Sequence, residues 1–235
     1  LAIQALLVAS APSFAMDDNA IFWRVDGMAE QRFHNIAPAT EWRGTAWLGT
    51  DTDKLRLYNA GVIDSTNGAI DKEGGTKGIE SRAFYSRLIA PFWDAKLGIS
   101  ATAFGPNLWR TGFIVGVEGL APYGIHLDVV AGVSQTGVLT LRFDADYDIL
   151  LSQKLVAQPF VEAVLASKDD PQIDLGAGLA RLELGLRLRY EFTKEFAPYV
   201  GVSFEHFTGN TATFMANDGD LTSKLRVLAG LKVWF

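Results

Sequence analysis

The chain contains no cysteine. That excludes disulfides, thiolate nucleophiles and cysteine-bound metal. It has no basic excess either: 21 Lys and Arg stand against 27 Asp and Glu, a formal net charge of −6. With no basic cluster, the sequence argues against a nucleic-acid partner. Three His and three Met are the whole supply of imidazole and thioether. No apolar run reaches the roughly 18 residues that a membrane-crossing helix needs. The patterns G-x-S-x-G, H-E-x-x-H, G-x-G-x-x-G and the phosphate-binding P-loop do not occur. The chain is therefore read as no enzyme.

What the chain does have is alternation. Counting back from Phe235 in steps of two gives Val233, Leu231, Ala229, Val227 and Leu225, all apolar. The interleaved set, Trp234, Lys232, Gly230, Leu228, Arg226 and Lys224, carries three positive charges. A period of two places these sets on opposite faces of one strand. The same order recurs at Leu139–Tyr147 and at Leu179–Phe192, where Leu182, Leu184, Leu186, Leu188, Tyr190 and Phe192 oppose Arg181, Glu183, Arg187, Arg189 and Glu191. Five charges on the inner face of a soluble barrel would ruin its core. Facing a wet lumen, with lipid outside, the same pattern is stable.

The pattern predicts an all-β fold: a transmembrane antiparallel β-barrel of about twelve strands, with both termini periplasmic. Its last strand closes against its first. Short connections near 51–53, 91–92, 121–122, 149–153 and 193–196 read as periplasmic turns, and long ones at 65–78, 167–178 and 208–221 as external loops. Trp23, Trp93, Tyr123, Tyr147, Tyr190, Tyr199 and Trp234 are expected at the membrane interfaces. Glu80 to Ala90 is the least regular strand, and Pro159 suggests a bulge. Residues 1–15 read as a signal peptide remnant, with Ser13-Phe14-Ala15 as the cleavage site, and 16–235 as the barrel. Export without a spanning helix implies the outer membrane of a Gram-negative cell, with its lipid bilayer as partner.

The stretches YSRLIAPFWDAKLG, GVEGLAPYGIHLD, DADYDILLSQKLVAQPFVEA, LELGLRLRYEFTKEFAPYVGV and LRVLAGLKVWF resemble the copper resistance protein B family. The similarity runs from about Trp42 to Phe235. It implies an outer-membrane barrel in copper resistance and homeostasis that binds copper ions and sequesters or passes them, with a periplasmic multicopper oxidase as partner. Family members often carry a Met- and His-rich stretch before the barrel. Here only Met16-Asp17-Asp18 stands between the cleavage site and the first strand.

Copper(I) favours thioether and imidazole, and copper(II) favours imidazole with carboxylate. Met28 and His34 share the inward face of the first strand with Glu30. His126 and Asp128 share that of a later strand, and strand pairing could bring Glu118, Glu162 or Glu183 towards them, Glu118 being the one taken as a ligand. These five (Met28, His34, His126, Asp128 and Glu118) are the candidate metal ligands, for weak or transient copper(I) or copper(II). His126 could equally hydrogen-bond within the lumen while Met28 fills space, leaving a small generic channel or structural barrel with no metal role. His206 falls on the outer face and Met215 in an external loop. Phe235 reads as an insertion signal.

Overall fold

Apolar-out, charged-in strands have one way to hide their edges in a bilayer, which is to close on themselves. The computed structural model, which describes residues 20–34, 38–193 and 195–235, does so. The strands are β1 (Phe22–Phe33), β2 (Ala39–Gly49), β3 (Asp53–Asp64), β4 (Ile79–Ala90), β5 (Trp93–Gly105) and β6 (Leu108–Ala121). They continue with β7 (Ile125–Ser134), β8 (Leu139–Tyr147), β9 (Leu155–Ala166), β10 (Gly178–Tyr190), β11 (Phe196–Phe207) and β12 (Ser223–Trp234). Each pairs antiparallel with its neighbour in sequence, and β12 pairs with β1 from Asp26–Trp234 to Phe33–Val227. The result is a closed twelve-stranded barrel, as the alternation predicts. A further piece, Ile149–Leu150, continues the edge of β8 onto β9. The expected leader, residues 1–15, lies outside the described residues.

The outside is apolar along every strand. Leu184, Leu186 and Leu188 of β10, Val200, Val202 and Phe204 of β11, and Leu225 and Val227 of β12 are exposed. Exposed aromatics Trp23, Phe92, Tyr123, Tyr147, Tyr190, Phe192 and Phe196 gather at the end with the short turns. Such a girdle suits a membrane–water interface. The last residue is tied in by a pair of backbone hydrogen bonds between Phe235 and Val25, at 2.8 and 2.9 Å. Glu80 to Ala90 does form a strand, with Glu80, Phe84 and Ser86 buried inward and Ser81, Tyr85 and Arg87 exposed outward, and its pairing with β5 shifts register between Leu88 and Ala90.

Three expectations change. Trp234 shares the luminal parity of Lys232 and Leu228, opposite Asp26, with the Arg24 guanidinium 5.2 Å over its ring, so it joins no outward girdle. Tyr199 belongs to no girdle: it points into the lumen, 6% exposed, and donates to Glu30 Oε2 at 2.8 Å. Its strand parity had Val200 outward, which already turns Tyr199 in. Pro159 makes no bulge and pairs in register with Leu186. On the other side of β9, Gln158 and Pro159 have no partner, because β8 is interrupted between Tyr147 and Ile149. The missing proline N–H is accommodated by that gap.

Luminal aromatics lie flat on luminal glycines of neighbouring strands. Phe160 covers Gly185, and Tyr199 covers Gly230. A Cβ on Gly230 would stand 2.5 Å from Tyr199 Cζ and 2.7 Å from the Ala29 carbonyl. Gly230→Leu is therefore expected to destabilise the barrel by about 1–3 kcal/mol through overpacking, read as a lower urea midpoint of refolded protein in micelles. An unchanged midpoint would mean that the ring is not fixed there.

Candidate functional site in the barrel lumen

The register decides which luminal charges meet. Asp94 lies opposite Glu118, Glu118 opposite Asp128, Asp128 opposite Asp144, and Asp144 opposite Glu162. Glu162 then faces Glu183, Glu183 faces Glu205, and Glu205 faces Lys224. Carboxylates thus run in one row across seven adjacent strands, from β5 to β11. Barrel strands tilt by roughly 35–45°, so the row climbs from near the short-turn end at Asp94 to near the long-connection end at Glu205.

Like charges directly opposite on a sheet repel, so the row stands only because cations reach it. Arg56 lies 2.5 Å from Asp94 and 2.7 Å from Glu118. Lys96 bridges Glu118 at 3.1 Å and Asp128 at 2.6 Å. Arg43 crosses from β2 to Glu162 at 2.9 Å. Arg181 touches Glu162, Glu183 and Glu205, the last at 2.5 Å. Arg32, fully buried, joins Glu30 and Glu41 at 2.8 Å each and Glu183 at 3.4 Å. Among the described residues, Asp144 alone on this row has neither an ion pair nor a side-chain hydrogen bond.

The long connections fold over one end. Residues 65–78 turn inward, and Glu73 lies buried with Arg226 at 2.5 Å and Lys77 at 3.3 Å. Burial alone would push the Glu73 carboxyl up, but Arg226, Lys77 and Arg32 hold it well below the usual carboxylate range. Lys77 also reaches Glu41 at 2.7 Å. The connection after β11 is not a plain loop: it holds a helix, α1 (Gly209–Asn217). Met215, expected in an external loop, is on that helix and is 1% exposed. A small apolar cluster, Phe104, Val138, Ala166, Ile173, Leu175 and Ala180, completes the cap. Behind it, two luminal cavities of about 60 and 70 Å³ remain, each with room for a few waters.

Two of the five candidate ligands, His126 and Glu118, meet, and Asp128 joins Glu118 through Lys96. At the short-turn end, His126 Nε2 lies 3.5 Å from Glu118 Oε1 and Nδ1 lies 3.3 Å from Asp146 Oδ1. Asp128 is Glu118's cross-strand partner and shares Lys96 with it. Met28 stands elsewhere, on β1 between Arg43 and Lys232. His34 follows the far end of β1, at the long-connection mouth. There burial, with Arg226 and Lys224 adding to it, pulls its ring below the ordinary histidine value. Among the described residues no three His or acidic groups converge on one point as a metal site. Asp146 is the participant that sequence reading missed; its inward parity was visible, but not its register with His126. His206 is on the outer face, with Nδ1 2.7 Å from Ser223 Oγ.

One loop carboxylate is held against its preference. Burial, reinforced by Glu73, pushes Asp71 up to about 6, while Lys224 and Arg226 oppose the shift only in part. A raised folded value means that the charged form opposes folding above about pH 6. The penalty fades as pH falls through 6 and is gone below the ordinary aspartate value, about 3.9. Asp71→Asn is expected to raise the thermal midpoint at pH 7.5 and to leave it unchanged near pH 3.5. A loss of stability at pH 7.5 would contradict this.

The sequence model for the copper resistance protein B precursor matches residues 21–235. Copper resistance protein B of Escherichia coli is 35% identical over 223 residues, covering 94% of this chain and 72% of that protein. The copper resistance protein B homolog of Pseudomonas syringae pv. tomato is 35% identical over 201 residues, covering 86% of this chain and 65% of that one. Among solved structures, the NanC porin superposes with a TM-score of 0.55 at 13% identity, covering 89% of this chain and 98% of the porin. The KdgM porin gives 0.52 at 10% identity, with 89% and 99% covered. At such identities the likeness is one of fold. The molecule is an outer-membrane β-barrel, and the chain belongs to the copper resistance protein B family.

Proposed function

We propose that the barrel serves copper resistance by holding copper(II) weakly at its short-turn mouth, on His126 and Glu118. The observation that carries this is the imidazole between two carboxylates, with its side chain 44% exposed. Asp146 at Nδ1 turns Nε2 towards Glu118. A carboxylate behind a ligating histidine fixes its tautomer and orientation. Imidazole with carboxylate suits copper(II); thioether, which copper(I) prefers, is absent from this cluster.

Two donors make a weak, exchangeable site, which fits a carrier or buffer better than a store. Short turns conventionally face the periplasm in such barrels. On that orientation the mouth and both chain termini are periplasmic, and a periplasmic multicopper oxidase would meet copper there. The capped far end favours buffering at the mouth over passage across the membrane. A reading without metal draws on Lys96 and Arg56, which already neutralise Glu118 and Asp128.

Calorimetric titration separates the two. Copper(II) added to refolded barrel is expected to bind one equivalent weakly, with binding lost in His126→Ala and weakened about 10–100-fold in Asp146→Asn. Identical binding in wild type and His126→Ala would remove the site. In cells, a deletion strain complemented with His126→Ala is expected to be more copper-sensitive than one carrying the wild-type gene.

A further inference from the structure

We propose that residues 65–78 are a displaceable plug, and that its withdrawal turns the capped barrel into an ion-conducting channel. The connection leaves the wall between β3 and β4 but makes its side-chain contacts across the lumen. Glu73 pairs with Arg226 of β12, and Lys77 with Glu41 of β2 and, at 3.6 Å, with Glu183 of β10. Lys72 lies 2.5 Å from Asp174 in the connection between β9 and β10.

The apex is shaped to enter a tight space. Glu73, Gly74 and Gly75 have φ of 38, 60 and 68° in succession, so the chain reverses on itself there. Thr76 Oγ1 donates to the Glu73 carbonyl at 2.7 Å and fixes the reversal. Only glycine fits next: a Cβ on Gly74 would stand 2.7 Å from Thr211 Cγ2 and 2.9 Å from Met215 Sδ. One on Gly75 would stand 2.5 Å from the Ile173 carbonyl. The apex thereby seals against α1 and the β9–β10 connection together.

The attachment is of a kind that can let go. Among the described residues, the backbone hydrogen bonds of 66–77 run within the connection or to β3 alone, through Val62 and Asp64. An isolated bridge, Ile63–Ile70, adds to these. At the base of the connection the Ser65 N–H also donates to the Pro38 carbonyl at 2.9 Å, but the inward part, 71–77, has no backbone bond to a wall strand other than β3, so the wall registers survive without it. Side-chain ion pairs and glycine contacts hold the apex. Arg32 stays on Glu41 and Glu183 when Lys77 leaves. Nothing in the wall pairing requires the loop to be in.

The test is planar-bilayer recording in potassium chloride, free of copper, so that its outcome is independent of binding at His126 and Glu118. Three refolded proteins are compared: wild type, Glu73→Gln with Lys77→Gln, and a barrel with residues 71–77 replaced by Gly-Ser-Gly. Folding of each is confirmed by heat-modifiable gel mobility. Wild type is expected near baseline, the double variant flickering open, and the shortened barrel open steadily, with mean current at least about tenfold above wild type. A folded shortened barrel that conducts no more than wild type overturns the proposal, because the wall side chains would then be the seal. Steady wild-type current equal to that of the shortened barrel overturns it as well.

Discussion

The structure depends on the compensation of one row of carboxylates. Asp94, Glu118, Asp128, Asp144, Glu162, Glu183 and Glu205 are direct cross-strand neighbours, an arrangement that repels when left alone. Apolar lipid outside leaves the lumen as the place for the barrel's charged side chains. The row is stable because arginines and lysines arrive from other strands, above all Arg181 and Arg32 from within the network and Arg43 from the opposite wall. Buried ion pairs gain little over an apolar core but lose much when one partner is removed. Here an apolar core is not the alternative, and the network holds opposite walls in a fixed relation.

That filling has functional consequences at both ends. In the middle and towards the long connections, guanidinium groups and the inward loop surround cavities of about 60 and 70 Å³. Towards the short turns the row ends in a more open cluster where an imidazole meets two carboxylates. In this barrel the imidazole and its two carboxylates thus stand at a mouth, apart from the ion-paired middle of the row. Asp144, on the row without an ionic partner among the described residues, lies between that mouth and the sealed half.

The barrel was legible in the sequence because lipid and lumen impose opposite demands at a period of two. Leu182, Leu184, Leu186 and Leu188 against Arg181, Glu183 and Arg187 state it without help from register. The family was legible too: the strand–turn phrases that resembled copper resistance protein B belong to a chain that its family model covers from residue 21 to residue 235. Register was not legible, so neither the acidic row nor Asp146 beside His126 could be read. The separation of Met28, His34 and His126 follows from which end of a strand each occupies, and that emerges only when the strands are paired. The plug escaped because its key pair, Glu73 with Arg226, joins residues 153 apart. The helix Gly209–Asn217 is too short to show a period, and its buried Thr211 and Met215 face the plug rather than a core of its own.

The central claim is that the row is held by cations from other parts of the lumen, with Arg181 as its most connected partner. A double-mutant cycle between Arg181→Met and Glu205→Gln, measured by urea unfolding of the refolded barrel in lipid vesicles, tests it most directly. The account requires strong coupling, on the order of 1–3 kcal/mol, with the double variant more stable than the sum of the single losses allows. Losses that simply add would show that the row stands without its arginine, and would contradict the account.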